Sequence, residues 1–524
     1  MEKPNSSLFG DLKSDLSAGL VVYLVALPLC LGIALASTGR SDLLFSGIIA
    51  GIIGGIVVGA LSGSPLGVSG PAAGLVVIVL TAIKTLGSFE AMLLAIVLAG
   101  VLQVVAGICK AGIIGYYFPS SVIKGMLAAI GLILIIKQVP VALGFDQTLI
   151  TDPELREAVG KNMFTQLFYS FQYTTTGAVV ISIVSLGLLI LFDTPFMKKV
   201  QLFRFLPGAL FVVLTGILLN YFFIQGAPQF VLIGKNLVQL PVATGMNHFF
   251  SFFRVPDFTA LSNPQVYITA VTLAVVASLE TLLCVEATDK LDPYKRVTPT
   301  NRELIAQGAG NIVSGMIGGL PVTQVIVRSS ANIDSGGKTK MSAIIHGLIL
   351  LLSAIFIPAF LNYIPLASLA AILLMVGYKL SKISLYKTMS KLGWDQFMPF
   401  IITIAAILTT DLLKGIGIGM AVAIYFILRK NLKNSYHKKL EVNNGGNVVT
   451  ITLSEEVTFL NKGSIQKTLD ELPENSKVII DGSRSVNIDY DVLEIIHNYK
   501  IHTAVTKNIT VETISVKDVV SMGH

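Results

Sequence analysis

The sequence predicts an α-helical polytopic membrane protein of fourteen transmembrane segments, arranged as a 7+7 inverted repeat and followed by a small α/β domain. Three observations predict this fold. The chain is 53% hydrophobic and 13% charged, whereas ordinary soluble domains carry roughly 25% charged residues. Apolar runs long enough to cross a bilayer fill most of the chain from Leu16 to Leu428. Near Glu441 the composition changes to alternating, strand-like stretches.

Polar residues and Gly/Pro interruptions separate the fourteen apolar segments. The first seven span residues 16–36, 43–61, 71–86, 90–109, 121–139, 174–192 and 205–224. The second seven span residues 265–287, 303–319, 327–336, 341–360, 363–378, 395–411 and 413–429. Because seven is odd, the second set enters the membrane from the opposite face, which makes the repeat inverted.

Basic residues near both ends of the chain predict its orientation. Lys3 and Lys13 lie in the amino-terminal segment 1–15, and a basic linker, residues 431–440, follows the transmembrane domain 16–430. Lys and Arg flank membrane segments mainly on the cytoplasmic side, and an even number of crossings returns both ends to one face. We therefore expect a multi-pass protein of the inner (plasma) membrane with cytoplasmic termini. Residues 1–15 show no signal-peptide pattern.

The tail, residues 441–524, predicts a small cytoplasmic α/β domain. Residues 448–453 and 478–481 have the pattern of strands. Residues 464–472 have helical periodicity between them.

The third and tenth segments are short, and each follows an extended stretch rich in glycine and proline. These stretches are residues 64–71 and 318–327. Non-helical backbone persists at membrane depth only where protein or a water-filled cavity satisfies its polar groups. Interruptions at matching places in two halves are typical of a transporter's substrate site. The alternative for either stretch alone is a kink in a packed helix.

The amino ends of these two short helices predict an anion site, because helix amino termini present unpaired N–H groups and partial positive charge. In the first half we expect Pro71 to be the first helical residue. The N–H groups that follow, up to Gly74, would then be free. In the second half we expect a helix start at Val327, with the hydroxyl group of Ser330 as an extra donor. The predicted substrate-binding residues are Ser69, Gly70, Ala72, Ala73, Val327, Arg328 and Ser329.

Glu280 lies deep in the eighth apolar segment. A charge at that depth is costly and normally marks a function or has a partner. We expect Glu280 to couple anion movement to a cation, since a proton or a bound sodium ion would neutralise it. The alternative is a structural ion pair with Arg328, which would otherwise add positive potential to the anion site.

Other reactive residues point away from enzymatic chemistry. Cys30, Cys109 and Cys284 lie in apolar runs without disulfide or metal spacing, and we interpret them as packing residues. His248 and His346 also lack metal-ligand spacing. The sequence holds no phosphate-binding GxxxxGK[ST] motif. We therefore predict a protein that is not an enzyme, with no cofactor and no metal other than a possible sodium ion near Glu280.

The remaining charges in the membrane region are not assigned to the anion site. Lys124 and Lys137 lie at the ends of apolar runs and are expected to extend to the membrane interface. The net charge of +7 fits the usual bias of membrane proteins toward Lys and Arg at their cytoplasmic ends, so it does not by itself identify an anionic substrate. We expect no nucleic-acid partner.

Several motifs closely resemble the SulP family, also called solute carrier family 26. They are NRELIAQG at 301–308, Gly310-Asn311, GGLP at 318–321, RSSAN at 328–332 and VSGP at 68–71. The resemblance implies a core domain of segments 1 to 4 and 8 to 11, and a gate domain of the others. It also implies a homodimer that moves sulfate, bicarbonate, chloride or dicarboxylates by an elevator-like shift of the core. A core carboxylate matched by Glu280 is associated with cation coupling in bacterial members.

The sequence departs from the family at one place. Many members have Gln after the proline of the first helix, whereas here Pro28 is followed by Leu29. The anion site is therefore expected to depend more on backbone N–H groups and Arg328.

The tail resembles a STAS domain through FLNK at 459–462 and IDGS at 480–483. In related antagonists a phosphorylatable serine follows a later Ile-Asp, but residues 488–491 read IDYD. We therefore expect a structural or dimer-contact role rather than a phosphoserine switch.

The sequence thus predicts secondary active transport of a small inorganic anion, of the sulfate or bicarbonate class, coupled to protons or sodium. A passive anion channel, a chloride/anion exchanger and a dicarboxylate transporter remain alternatives. A nucleobase permease is disfavoured by Arg328 and the tail. A membrane enzyme is disfavoured because the sequence shows no nucleophile–base pair or metal cluster.

Overall fold

The computed structural model describes residues 11–145, 163–194, 197, 207–242, 245–410, 412–433, 436–443 and 446–517. Most of the predicted amino-terminal segment 1–15 and the end of the tail, 518–524, lie outside the described residues. The chain divides into two compact units. The first is Met1–Lys391 with Phe400–Gly419, and the second is Leu392–Pro399 with Met420–His524.

Helices α1 to α9 and strand β1 make up the first half of the chain. They are α1 (Leu12–Thr38), α2 (Phe45–Ile53, continued by a π-helical turn Gly54–Val58 and by Gly59–Leu61), β1 (Ser69–Pro71), α3 (Val76–Leu86), α4 (Phe89–Ile108), α5 (Ser120–Ala142), α6 (Met163–Ser170), α7 (Thr176–Asp193), α8 (Gly208–Gly226) and α9 (Met246–Phe250).

The second half of the helical region also contains one short strand among its helices. Its elements are α10 (Pro264–Leu291), α11 (Thr300–Met316), β2 (Val322–Gln324), α12 (Ile326–Asp334), α13 (Met341–Phe356), α14 (Pro358–Leu361), α15 (Leu366–Leu380), α16 (Ile383–Lys391), α17 (Trp394–Thr409) and α18 (Leu412–Lys433).

Each of the fourteen predicted segments contains a helix. Among the described residues, nine helices are long and apolar enough to cross a membrane, and three shorter ones are apolar. The other two segments correspond to α11 and α12. The number of membrane crossings stays a prediction, because a helix shorter than about 17 residues does not span the hydrocarbon core alone.

Local sequence explains where the helices begin and end. Ser88 caps α4 by accepting a hydrogen bond from the N–H of Ala91 at 3.0 Å. Asn263 caps α10 in the same way, and Pro264 takes the first helical position. Helix α1 ends where Gly39 adopts a φ of 66°, a conformation that glycine adopts without strain.

Small residues allow the helices of the first unit to approach closely. At the crossing of α4 and α11, a methyl group added to Gly100 or to Gly308 would lie 2.6 Å from the other residue's carbonyl oxygen. The π-helical turn of α2 meets α13 in the same manner at Gly55 and Gly347. Glycine contacts of this kind are typical of helix packing in membranes.

The carboxyl-terminal unit contains a four-stranded sheet with the strand order β3-β4-β6-β8. Strand β3 pairs antiparallel with β4, while β4, β6 and β8 are parallel. The strands are β3 (Tyr436–Asn443), β4 (Gly446–Leu453), β5 (Glu456–Val457), β6 (Lys477–Asp481), β7 (Asn487–Ile488) and β8 (Thr510–Ile514), with helices α19 (Lys462–Asp470), α20 (Tyr490–Asn498) and α21 (Ala504–Thr506).

Alternating apolar residues of this sheet pack against helices α19 and α20. Val449, Ile451 and Ile480 are buried together with Leu469 and Ile496. The predicted strands at 448–453 and 478–481, and the helix predicted between them, are therefore confirmed. The likeness of this region to a STAS domain stays a prediction.

Candidate functional site

The two extended stretches predicted in the sequence pair with each other in the first unit. Strands β1 and β2 form an antiparallel ribbon in which Ser69 lies opposite Gln324, and Pro71 lies opposite Val322. All six residues of the ribbon are buried. Because the strands are antiparallel, α3 and α12 leave from opposite ends of the ribbon. The chain therefore leaves the ribbon toward the two helices at points about 7 Å apart along the strands.

The prediction that Pro71 is the first helical residue is wrong. Pro71 ends β1, the chain passes through Ala72 into a 3-10 turn, Ala73–Leu75, and α3 begins only at Val76. Pairing with β2 holds Pro71 in the extended conformation and so delays the helix. The second helix begins at Ile326, one residue earlier than predicted.

Some of the predicted amide donors already have partners. The N–H of Ser329 donates to the carbonyl oxygen of Val325 at 3.1 Å, as expected for the first turn of a helix. The N–H groups of Ile326, Val327 and Arg328 have no acceptor within their own helix. Val327 is 46% exposed, so it marks the accessible edge of this helix end.

The first half-helix presents a similar edge at Ala73. Ala73 is half-buried, whereas Ala72 and Gly74 beside it are buried. The N–H of Leu75 donates to the carbonyl oxygen of Ala72 at 3.3 Å. Among the predicted substrate-binding residues, Ala73 and Val327 are thus the two that reach an accessible surface; the structure places the other five, Ser69, Gly70, Ala72, Arg328 and Ser329, in buried positions.

One face of α10 contacts the amino ends of both short helices. Glu280 accepts a hydrogen bond from the backbone N–H of Gly74, at the start of the first. One helical turn further, the sulfur of Cys284 accepts one from the backbone N–H of Ile326, at the start of the second. Cys284 therefore has a place in the site, which its interpretation as a packing residue missed.

The same face of α10 also fixes strand β2. The hydroxyl oxygen of Thr281 accepts from the backbone N–H of Gln324 at 3.4 Å. The side-chain amide of Gln324 donates to the hydroxyl oxygen of Thr288 at 3.1 Å. A single helix thus positions the ribbon and both helix ends.

Glu280 is 8% exposed and lies against Gly74. A methyl group at Gly74 would lie 2.5 Å from Oε2 of Glu280. That oxygen is buried and has no hydrogen-bond partner in the described protein. The carboxylate therefore keeps one oxygen available for a proton or a cation, and the sodium ion expected there stays a prediction.

Arg328 is 1% exposed and extends from α12 across to β1. Its Nη2 lies 3.4 Å from the sulfur of Cys30 and 3.5 Å from the carbonyl oxygen of Pro71. Its Nη1 is buried without a hydrogen-bond partner and lies against Gly70. The alternative that Arg328 pairs with Glu280 is wrong, because neither residue has an ion-pair partner in the described part of the chain. The two charges occupy different glycine-lined niches.

His346 of α13 is also fully buried, and neither of its ring nitrogens has a partner among the described residues. Arg328 is buried without an ion-pair partner among the described residues, and such a cation gives the region a positive potential that favours an anion nearby.

The serines predicted as substrate ligands have structural partners. The hydroxyl group of Ser329 donates to the carbonyl oxygen of Val325 at 2.9 Å and accepts from the N–H of Val68 at 3.0 Å. The hydroxyl oxygen of Ser69 accepts from the side-chain amide of Gln307 at 2.7 Å. These contacts hold the strands in place, and a direct contact with substrate stays a prediction.

A buried polar stripe on α11 was not predicted as part of the site. Its members, Glu303, Gln307 and Asn311, are spaced by four residues and so share one face of the helix. Asn311 binds both backbone groups of Val322, accepting from its N–H at 2.6 Å and donating to its carbonyl oxygen at 3.0 Å. Gln307 joins the stripe to β1 through Ser69. The available signal was the spacing of these three polar residues at intervals of four in the sequence.

Paired half-helices on a shared ribbon, within a bundle of membrane-length helices, define the class of this protein as a multi-pass membrane transporter. The comparison with known families then identifies it. The sequence model of the Sulfate permease family matches residues 12–406, and the chain belongs to that family. The resemblance drawn from the motifs is therefore confirmed at the level of the family.

Curated relatives cover most of the chain. It is 28% identical to the putative sulfate transporter YvdB of Bacillus subtilis over 418 residues, which is 80% of this chain and 74% of that protein. It is 23% identical to the bicarbonate transporter BicA of a Picosynechococcus species over 487 residues, or 90% of this chain and 80% of that protein.

Solved structures show the same fold. The transmembrane domain of a cyanobacterial bicarbonate transporter, BicA, matches with a TM-score of 0.63 at 22% identity, covering 80% of this chain and 98% of that one. Murine Slc26a9, an anion transporter in the inward-facing state, matches with a TM-score of 0.75 at 16% identity, covering 98% of this chain and 87% of that one.

Proposed function

We propose that this protein carries out secondary active transport of a small inorganic anion of the sulfate or bicarbonate class. The observation that carries the proposal is the ribbon of β1 and β2. It holds the amino ends of α3 and α12 beside the buried Arg328, which has no ion-pair partner among the described residues. Two helix amino ends and one cation form a site that attracts an anion without any bound metal. Relatives named as sulfate and bicarbonate transporters support this substrate class.

The anion would bind at the accessible edges of the two half-helices. There Ala73 and Val327 face the accessible surface, and nearby N–H groups lack acceptors within their helices. The buried residues of the predicted set would act by holding this geometry. Arg328 would act through its charge rather than by direct contact.

Glu280 would couple anion movement to a cation. Its free oxygen, Oε2, can take a proton or bind sodium, and the other side of the carboxylate holds the N–H of Gly74 at the anion site. Neutralising Glu280 removes a negative charge close to the bound anion. Binding of the cation and the anion would therefore favour each other.

The movement that exposes the site to each side would be elevator-like. In this proposal α1 to α4 and α10 to α13 form the core, which moves against the gate formed by the other membrane helices. The ribbon, the stripe on α11 and the hydrogen-bonding face of α10 all belong to the core. The site would thus travel as a unit.

The test is uptake of radiolabelled sulfate or bicarbonate by proteoliposomes that contain the purified protein. We expect accumulation above equilibrium when an inward proton or sodium gradient is imposed, and none without a gradient. Uptake that never exceeds equilibrium under either gradient would support the alternatives, a passive channel or an exchanger. Succinate and chloride serve as competitors that test the dicarboxylate and chloride alternatives.

The Glu280→Gln variant separates coupling from binding. Glutamine keeps an oxygen that can accept the hydrogen bond from Gly74 but takes up neither a proton nor sodium with the affinity of a carboxylate. We expect this variant to bind and exchange the anion while losing gradient-driven accumulation. Full accumulation by the variant would contradict a coupling role.

We propose that the protein works as a homodimer in the plasma membrane, with both termini and the α/β region in the cytoplasm. The α/β region would be a STAS domain with a structural or dimer-contact role. Crosslinking of the purified full-length protein tests the dimer, which we expect to persist at low protein concentration.

A further inference from the structure

A large cavity in the first unit lies away from the ribbon and plays no part in the site described above. Its volume is about 860 Å³. The wall consists of the carboxyl ends of α1 and α5, most of α3, one residue of α6, the amino end of α10, and the junction of α17 with α18. Given the proposed cytoplasmic amino terminus, this end of α1 faces the outside of the cell.

Basic residues dominate the charged lining of this cavity. Lys84 of α3, Lys137 of α5 and Lys414 of α18 line it, and the described lining residues include no carboxylate. Lys137, which was expected to reach the membrane interface, is half-buried in this wall. The charge of Lys84 is close enough to repel that of Lys137, and neither has an ion-pair partner among the described residues. Two like charges held together in this way are stabilised by an anion between them.

Neutral polar groups complete the lining. Thr81, Thr85, Gln138 and Thr269 contribute to the wall. Gln138 is 1% exposed, and its Oε1 is buried without a hydrogen-bond partner. A buried amide oxygen without a protein partner indicates a place where a water molecule donates the missing hydrogen bond, so the wall is polar and hydrated at this point.

The cavity leads toward the half-helix of the predicted site. Val77, Thr81 and Lys84 line it, and their spacing of four and three residues places them on one face of α3. Ala73, the accessible residue before the amino end, lies four residues before Val77, in the 3-10 turn Ala73–Leu75 that precedes α3. The cavity thus ends close to the proposed anion site, at the first turn of α3.

We propose that Lys84 and Lys137 form a second anion-binding site, which collects a small inorganic anion from outside before it reaches the half-helices. The identity of the anion rests on the proposed function, but the positive charge of the cavity does not depend on that function. Its role is to raise the local anion concentration, as charged clefts do. The phosphate of an anionic lipid offers the same chemistry, and the experiment below separates the two.

The first test measures charge in the cavity without transport. Thr81→Cys, introduced in a Cys109→Ser background, places a thiol in the wall between Val77 and Lys84. In phosphatidylcholine liposomes it is treated with a sulfonate-bearing or an ammonium-bearing thiosulfonate reagent, and Cys109→Ser alone gives the background rate. We expect the ratio of anionic to cationic rates to fall about tenfold when Lys84→Gln and Lys137→Gln are added.

Lys124→Gln is the matched control. Lys124 lies on the same helix, α5, but 13 residues before Lys137, or about 20 Å along the axis. The control should leave the ratio unchanged. An unchanged ratio in the double variant, or an equal fall in the control, would overturn the proposal.

The second test measures transport in liposomes of phosphatidylcholine alone. The double variant should raise the KM for the carried anion about fivefold and leave the maximal rate within about twofold of the wild type. An effect that appears only when phosphatidylglycerol is added would assign the lysines to a lipid headgroup and overturn the proposal. If the wild type transports no anion but the labelling ratio still falls, the proposed function fails while the second site stands.

Discussion

The guanidinium group of Arg328 occupies the space in which a side chain at Gly70 would begin. Four residues later, Gly74 leaves room for the carboxylate of Glu280 in the same way. Arg328 and Glu280 come from the second half of the chain, and both glycines come from the first. Each buried charge is therefore held in a niche made by the other half, which explains why the two charges do not pair.

Gly70→Ala should abolish transport. A Cβ at this position overlaps Nη1 of Arg328, which is buried and has little freedom to move. We expect a loss of about 1–3 kcal/mol in the free energy of unfolding, the usual cost of an overpacked core. Thermal unfolding in detergent and anion uptake in liposomes measure the two effects.

Gly187→Ala is the control for this substitution. Gly187 lies inside α7, and nothing lies within 4 Å of an added Cβ. The control should be neutral or slightly stabilising, because alanine favours helix. Wild-type uptake by Gly70→Ala would contradict the position assigned to Arg328.

Asn311→Ala should reduce transport because Asn311 holds both backbone groups of Val322 in β2. Asn220→Ala removes an equivalent pair of hydrogen bonds to the backbone of Leu232, away from the ribbon. Each change should lower the free energy of unfolding by about 2–4 kcal/mol, since buried backbone groups lose their partners.

Transport should distinguish these two asparagine variants. We expect the maximal rate per folded molecule to fall at least about tenfold for Asn311→Ala, and to change little for Asn220→Ala. Equal losses of rate in both would show that the ribbon has no special role.

Glu303→Gln should destabilise the protein far more than Glu280→Gln. Glu303 is fully buried, and its carboxylate accepts hydrogen bonds from the hydroxyl of Ser62 at 2.5 Å and the amide of Gln307 at 2.9 Å. It also accepts from the backbone N–H groups of residues 63 and 64. A glutamine amide group would face donors here and leave at least one unsatisfied, at a cost of about 1–3 kcal/mol.

The comparison depends on the different surroundings of the two acids. Glu280 has an oxygen without a protein partner, so the amide group of glutamine fits there without opposing a donor. Unfolding midpoints of the two variants in one detergent measure the difference. Similar midpoints would contradict the structural role of Glu303.

Cys109 offers a test of orientation. It follows the last residue of α4 and is exposed, whereas Cys30 is buried. With a cytoplasmic amino terminus, four segments return the chain to the cytoplasmic side at this point. A membrane-impermeant maleimide should therefore label inside-out vesicles and spare right-side-out ones. Labelling in the opposite vesicles would reverse the orientation, and Cys109→Ser should remove the signal.

The helices could be predicted because hydrophobic runs of membrane length leave few alternatives. The broken segments could be predicted as well, since glycine and proline mark them locally. The start of the first half-helix could not be predicted. Proline favours the first helical position, but Pro71 is held in a strand because it pairs with Val322 from the other half of the chain. Pairing between residues so distant in sequence leaves no local signal.

The charged residues of the site could be predicted from the sequence only in part. Glu280 and Arg328 stood out because charges in apolar segments are rare. The surroundings of these two side chains could not be predicted, because each side chain lies against a glycine that becomes its neighbour only in the folded chain. The polar stripe of Glu303, Gln307 and Asn311 was visible as a spacing, but its contact with both strands required the tertiary structure.

The pairing of β1 with β2 has a consequence for how such a protein changes its specificity. The ribbon is joined through backbone groups, which are the same whatever side chains the strands carry. Changes in sequence can therefore leave the fold intact, as the fold shared at 16% identity with murine Slc26a9 indicates. If Ala73 and Val327 bind the anion as proposed, selection for a new anion would act mainly on these two accessible residues, and one scaffold would serve anions of different size and charge.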